Sequence, residues 1–122
     1  MRAKLDLALV IDFPRLYRDR DRDTAMCWGF ECGDGWEPLI RRLSETLEPM
    51  VGSDDDAPRA IQVKEKFGTL SFYMTKYTTP ITKAIGDACQ ESARTCEECS
   101  RPGFSRGGSW ISTLCDECYQ PQ

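Results

Sequence analysis

The sequence has no histidine among its 122 residues. This absence excludes Ser-His-Asp and Cys-His catalysis, HExxH metallohydrolases and every zinc site that needs an imidazole ligand. The side chains that remain for catalysis are carboxylates, lysine, tyrosine and cysteine. Because no side chain with an ordinary pKa near neutrality is left to act as a general base, we expect a protein that is not an enzyme.

Long apolar runs and an excess of positive charge are also missing. No stretch approaches the ~20 apolar residues that span a bilayer. The apolar run near the N-terminus is interrupted by Asp6 and ends at Asp12, and no small-residue cleavage site follows it. The formal net charge is -4, from 16 basic and 20 acidic residues, so no overall cationic field attracts nucleic acid or membranes. We therefore expect a cytoplasmic protein with no membrane partner.

Cysteine, by contrast, is abundant, and its number, seven, is odd. A secreted disulfide framework normally has an even number behind a signal peptide, whereas clustered cysteines in a reducing cytoplasm more often bind metal. Four of the cysteines form two C-x2-C pairs with fifteen residues between the pairs: Cys96, Cys99, Cys115 and Cys118.

This spacing predicts that the four thiolates surround one Zn²⁺ ion tetrahedrally. Two disulfides or idle thiols are the alternatives, and a rubredoxin-like iron site shares the same geometry. Four thiolates leave zinc no open coordination position, so the predicted site is structural rather than catalytic.

Three further cysteines lie outside these pairs. We interpret Cys27 and Cys32 as core residues, with a redox pair or an incomplete second metal site as alternatives. Cys89 falls at helical spacing among apolar residues, which predicts a buried small apolar side chain.

Apolar periodicity predicts three helices and a hairpin. The first helix covers residues 4–17 and is broken or restarted by Pro14. The second opens at about Gly35, where Asp34 and Glu37 resemble a capping box. The third follows Pro80. The predicted core-facing positions of the third helix are Ile81, Ala84, Ile85, Ala88, Cys89 and Ser92. Those of the second helix are Trp36, Leu39, Ile40, Leu43 and Leu47. Those of the hairpin are Ile61, Val63, Leu70, Phe72 and Met74.

These elements predict an α+β fold with helices, a β-hairpin and a C-terminal zinc-ribbon-like module built on the four paired cysteines. We place the α+β core at residues 1–95, with the hairpin at 60–75, and the zinc-binding module at 96–122, packed on the core. Two charged segments are predicted to be solvent-exposed and to connect the helices and strands: the alternating Arg and Asp residues of 18–23, and the acidic residues 54–56.

One stretch of this acidic chain is basic. Residues 59–83 contain five basic residues and one acidic residue. On the hairpin, Lys64, Lys66 and Tyr73 fall on the face opposite the core, and Tyr77 follows nearby. Tyrosine gives large contact area at low entropic cost and lysine attracts acidic surfaces, so these four residues are candidates for partner binding. An ordinary solvated strand face is the alternative.

Several long motifs are distinctive: CWGFECGDGW at 27–36, QVKEKFGTLSFY at 62–73, TCEEC at 95–99, PG at 102–103 and GSWISTLCDEC at 108–118. Through these motifs the chain resembles a group of small bacteriophage and prophage zinc-binding proteins, over about residues 10 to 118. The resemblance implies an accessory protein that acts in the cytoplasm of a bacterial host, including the anti-CRISPR kind of anti-defence protein.

Three classes of function follow from these observations. The first is a non-enzymatic interaction protein that inhibits or modulates a host protein complex, such as a CRISPR-Cas defence system. The second is a nucleic-acid-binding zinc-ribbon regulator, disfavoured because residues 84–122 have three basic and six acidic residues, the wrong sign for phosphate. The third is a metal-dependent nuclease, suggested by Gln62, Val63 and Lys64 downstream of the acids at 54–56.

Overall fold

The structure is a computed structural model that describes residues 1–21 and 24–120. Short 3-10 helices cover Ala25–Trp28, Asp34–Trp36 and Glu48–Met50. In these residues the chain is a mixed α+β protein, as predicted. Its helices and strands, in chain order, are α1 (Ala3–Asp12), β1 (Phe30–Glu31), α2 (Glu37–Leu47), β2 (Ala60–Lys66), β3 (Thr69–Met74), α3 (Thr79–Ser92), β4 (Phe104–Arg106) and β5 (Ser112–Leu114).

The helices begin close to the predicted residues, but the first helix ends five residues before the predicted end at residue 17. Helix α1 ends at Asp12, because a residue that precedes proline, here Phe13 before Pro14, avoids the helical region. All five predicted apolar positions of α2 are buried, which confirms its core-facing stripe. None of the helices in the described part of the chain is long and apolar enough to cross a membrane.

The predicted capping box is wrong. A 3-10 turn precedes α2, and the two acidic side chains bind elsewhere. The Asp34 carboxylate accepts the Arg2 amide at 2.7 Å, and the Glu37 carboxylate accepts from Arg41 Nε, one turn along the helix, at 3.0 Å.

The hairpin is confirmed, with one change of register. Strands β2 and β3 pair antiparallel, with Val63 opposite Phe72. Phe67 and Gly68 form the turn with φ values of 53° and 85°, the left-handed conformation that two-residue hairpin turns require. A bulge between Ala60 and Gln62 makes Ala60 the buried residue at this end of the strand. Ile61 is only half-buried, so its assignment to the core was wrong.

A third strand completes the sheet. Strand β1 pairs parallel with β2, placing Phe30 beside Val63 and Glu31 beside Lys64. Tyr17 packs edge-on against Phe30 with ring centroids 4.9 Å apart. The apolar face of the sheet therefore closes the core, and its opposite face is polar.

The alternating charged segment is not simply a solvated loop. Asp19 is only 2% exposed, and its carboxylate pairs with Arg59 Nε at 2.6 Å. Arg20 pairs with Asp6 at 3.2 Å. The prediction of a solvated segment is wrong for Asp19, and Arg22 and Asp23 lie outside the described residues.

The core contains one hydrogen-bonded hydroxyl pair that makes a testable prediction. Ser44 Oγ donates to Ile40 O at 2.7 Å, so the buried Tyr17 hydroxyl donates to Ser44 Oγ at 2.6 Å. Burial raises the pKa of Tyr17 far above its ordinary value, and the hydroxyl stays protonated.

We expect Ser44→Ala to lower the free energy of unfolding by about 1–3 kcal/mol, because it leaves a buried donor without an acceptor. Tyr17→Phe should cost about 0.5–1.5 kcal/mol, since Ser44 keeps its bond to Ile40. In the double variant the Ser44→Ala change should cost much less than it does alone. Urea unfolding measures all three, and additive costs would contradict the coupling.

Candidate metal centre

The four cysteines of the two C-x2-C pairs come together in the structure. Their Sγ atoms all lie within 4.8 Å of one another, and Cys99 Sγ is 3.5 Å from Cys115 Sγ. A tetrahedral ion with metal–sulfur bonds of about 2.3 Å separates its sulfurs by about 3.8 Å. All seven cysteines are free thiols, so the disulfide alternative is not observed. The cluster could hold one metal ion.

The first knuckle, residues 96–99, is a tight turn closed by backbone hydrogen bonds. The Ser100 amide donates to Cys96 O at 3.1 Å, and Ser100 adopts a left-handed φ of 75°. The Cys96 amide donates to Arg101 O at 2.7 Å. These bonds hold the buried Cys96 and the half-buried Cys99 on the same side of the turn.

The second knuckle, residues 115–118, follows β5 directly. Strand β5 pairs antiparallel with β4, and the Glu97 amide donates to Thr113 O at 3.0 Å, which joins the two knuckles. The Cys118 amide donates to Cys115 Sγ at 3.4 Å. This amide lowers the pKa of Cys115 to about 7, whereas the hydrogen bond with Cys115 raises the pKa of Cys118.

The first knuckle also packs on the loop that precedes α2. The Gly35 amide donates to Glu97 O at 2.7 Å, and Trp36 Nε1 donates to Thr95 O at 2.9 Å. In return, Ser100 Oγ donates to Gly35 O at 2.7 Å. Trp36 is itself completely buried, so the knuckle is hydrogen-bonded to the edge of the hydrophobic core.

Two side chains extend this contact. The Glu97 carboxylate accepts from the Gly33 amide at 2.9 Å, while partial burial raises the pKa of Glu97. On the other side, the buried Thr113 hydroxyl donates to Gly68 O at 2.6 Å. The segment that contains the four cysteines, residues 96–118, therefore contacts both the loop that precedes α2 and the turn between β2 and β3. The division at residues 95 and 96 stays a prediction.

The other cysteines do not join the cluster. Cys32 is buried, as predicted, and burial raises the pKa of its thiol to about 12, which makes it unreactive. Cys27 is exposed, because it lies in a surface 3-10 helix, so its assignment to the core was wrong. Cys89 is half-buried, so the predicted burial of its side chain is observed only in part.

The predicted partner residues divide into two groups on the polar side of the sheet. Tyr73 and Tyr77 line one shallow groove of about 350 Å³, together with Ile61 and Gln62. The Tyr77 hydroxyl is committed to the fold, since it accepts from the Met74 amide at 3.0 Å. Lys64 and Lys66 lie further along β2, opposite Ser71 and Thr69 respectively.

The residues proposed for a nuclease do not assemble a second metal site in residues 1–21 and 24–120. The one cluster of three or more ligand-type residues found there is the four cysteines. Asp54, Asp55 and Asp56 lie in an exposed turn. The backbone carbonyls of Asp54 and Asp55 accept from Arg18 and Arg59 at 2.5 and 2.9 Å.

Two features of these surfaces escaped sequence reasoning. The glycine-rich loop at 33–35 is the surface on which the first knuckle lies, through the hydrogen bonds of Gly35 with Glu97 and Ser100. The two glycines were the available signal, because backbone can approach closely only where Cβ is absent. Glu31 was also missed, and it lies beside Lys64 on the polar face.

Comparisons of the chain with protein families, with curated proteins and with solved structures gave no match.

A matched pair of glycine substitutions tests the packing of the knuckle. A Cβ at Gly35 would lie 2.6 Å from Cys99 N, whereas a Cβ at Gly86 in α3 meets nothing within 4 Å. We expect Gly35→Ala to lower the free energy of unfolding by about 1–3 kcal/mol and to weaken metal binding, because backbone must move. Gly86→Ala should raise stability by up to ~1 kcal/mol through helix propensity. Equal stability of the two variants in thermal unfolding would contradict the close approach.

Proposed function

We propose that the protein is a zinc-binding interaction protein without catalytic activity, and that it binds a host protein complex through the polar side of its sheet. The observation that carries the proposal is the cysteine cluster, with four Sγ atoms within 4.8 Å of one another. Thiolate sulfur is a ligand that zinc favours, and a complete set of four leaves no position for a reacting water. The metal then stabilises a binding surface and performs no chemistry.

The metal assignment predicts one zinc ion per chain. Elemental analysis of the purified protein should find zinc in a one-to-one ratio and a colourless solution, whereas iron in the same site would absorb visible light. Cys99→Ser should lose the metal and destabilise the fold, because metal binding supplies folding free energy. Cys27→Ser is the matched control, since Cys27 is exposed and lies outside the cluster. Retained zinc in Cys99→Ser, or loss in Cys27→Ser, would contradict the assignment.

The proposed partner surface is the open face of the sheet, defined by side chains that point away from the core. Opposed and neighbouring residues on adjacent strands share a face, so Lys64 lies between Glu31 on β1 and Ser71 on β3. Gln62 donates to the Glu31 carboxylate at 3.4 Å. The members of the open face are Glu31, Gln62, Lys64, Lys66, Ser71 and Tyr73, with Tyr77 at its border.

This surface suits an acidic protein partner. Two lysines outnumber the single acid on the open face, and Tyr73 and Tyr77 add aromatic contact area at one end. The resemblance to bacteriophage and prophage proteins suggests where such a partner is found: a complex of the bacterial host, with a CRISPR-Cas defence system as the leading example. A protein of this kind acts by covering a surface that the complex needs.

Charge reversal tests the surface. Lys64→Glu combined with Lys66→Glu should weaken capture of the host complex at least about tenfold, and the loss should be larger at low salt. The control is Lys4→Glu combined with Lys83→Glu, which makes the same charge change at exposed positions on α1 and α3. Capture is measured from nuclease-treated host lysate, followed by titration of the purified partner. Equal binding by the two double variants would move the partner site elsewhere.

A further inference from the structure

A cavity of about 540 Å³ opens beside the second knuckle. Two aromatic side chains, Trp110 and Tyr119, line it together with Glu98 and Cys118. Trp110 is 77% exposed, although tryptophan is among the largest apolar side chains. A ring this exposed, beside a cavity with a carboxylate and a sulfur in its wall, has the composition of a binding site rather than of a core.

Among the described residues, the one cation in the wall of this cavity is already committed to the fold. Arg106 Nε donates to Leu114 O at 3.1 Å, and its terminal nitrogen pairs with Asp116 at 2.8 Å. Its guanidinium carbon lies 4.5 Å from the ring centroid of Tyr119, and only 18% of the side chain is exposed. The charge of Arg106 is thus neutralised by Asp116, and its guanidinium group contacts Tyr119. This contact shows that a guanidinium group fits against an aromatic ring in the wall of the cavity.

The remaining electrostatics of the cavity are negative. Glu98 is exposed at its edge, and the second basic residue of the cysteine segment, Arg101, is paired with Glu117. Zinc with four thiolates also has a net negative charge, and the Cys118 sulfur is part of the cavity wall. A phosphate would be repelled by this environment, whereas a cation would be attracted by the carboxylate, the sulfur and the aromatic faces.

We propose that this cavity binds an arginine side chain of a protein partner, stacked on Trp110, with its N–H groups directed to Glu98 and Cys118. Arginine fits better than lysine because its planar guanidinium stacks on an indole and still donates at its edges. The inference rests on the proposed zinc site and interaction function, since the thiolate charge requires the metal. It adds a second surface, opposite in charge to the open face of the sheet, so that the protein can contact a partner with both acidic and basic regions.

The test uses the full zinc-loaded chain and a fluorescent hexa-arginine peptide, with binding measured by anisotropy. Trp110→Ala should weaken binding about three- to tenfold, the range expected for loss of a cation–π contact. Trp28→Ala is the matched control, because Trp28 is 76% exposed and lies outside the cavity. Glu98→Gln should weaken binding, whereas Glu45→Gln, at an exposed position on α2, should not. Hexa-lysine should bind more weakly than hexa-arginine.

Zinc content and thermal unfolding of each variant establish that the fold is intact. The proposal is overturned if folded Trp110→Ala binds the peptide as the wild type does. It is also overturned if Glu45→Gln weakens binding as much as Glu98→Gln, which would indicate general attraction to an acidic chain. Such a failure leaves the proposed function standing wherever zinc is retained and charge reversal at Lys64 and Lys66 still reduces capture of the host complex.

Discussion

The structure depends on the hydrogen bonds that join the first knuckle to the loop before α2. Gly35 donates to Glu97 O and Trp36 donates to Thr95 O, so both the start of α2 and a fully buried indole are positioned by the chain next to Cys96. Backbone polar groups buried without partners are costly. Displacement of this knuckle would therefore leave donors of the core unsatisfied, and the cluster and the core are expected to be stable only together.

Sequence spacing predicted those elements of the fold that form between residues close together in the chain. The stripe of α2, the hairpin with its Phe67–Gly68 turn, and the four cysteines each depend on spacing within a short stretch of sequence. The parallel pairing of β1 with β2 was not predicted, because a two-residue strand has no periodicity to recognise. The bulge that exposes Ile61 and buries Ala60 was missed for a related reason, since alternation alone assumes an unbroken register.

Long-range charge pairing escaped the sequence for a different reason. The alternating arginines and aspartates look solvated, but Asp19 is buried because Arg59, forty residues away, meets its carboxylate. The capping-box pattern fails for two reasons: Asp34 pairs with Arg2, thirty-two residues away, and Glu37 pairs with Arg41, one turn along α2. The tertiary fold determines which partner a charged side chain pairs with. The sequence pattern of charged residues does not identify that partner.

The proposed function combines a cluster of four cysteines that could hold one metal ion with two surfaces of opposite charge. The cluster has no position for a substrate if it holds zinc, so its role in this account is to fix the segment that bears Trp110 and the loop that supports Trp36. The open face of the sheet is basic and the cavity beside Cys118 is acidic and aromatic. Steering by complementary charge increases association rates and excludes wrong partners, which suits the proposed recognition of a host complex.

Hydrogen exchange with and without the metal tests the central claim, that the cysteine cluster and the core form one cooperative unit. We predict that removal of zinc by a chelator speeds exchange of the Gly35 amide and the Trp36 indole N–H. Amides within α2, such as that of Leu43, should also exchange at least about tenfold faster, because the core loses stability with the cluster. If exchange accelerates only within residues 96–118 while Gly35, Trp36 and α2 stay protected, the cluster is an independent appendage and the account is wrong.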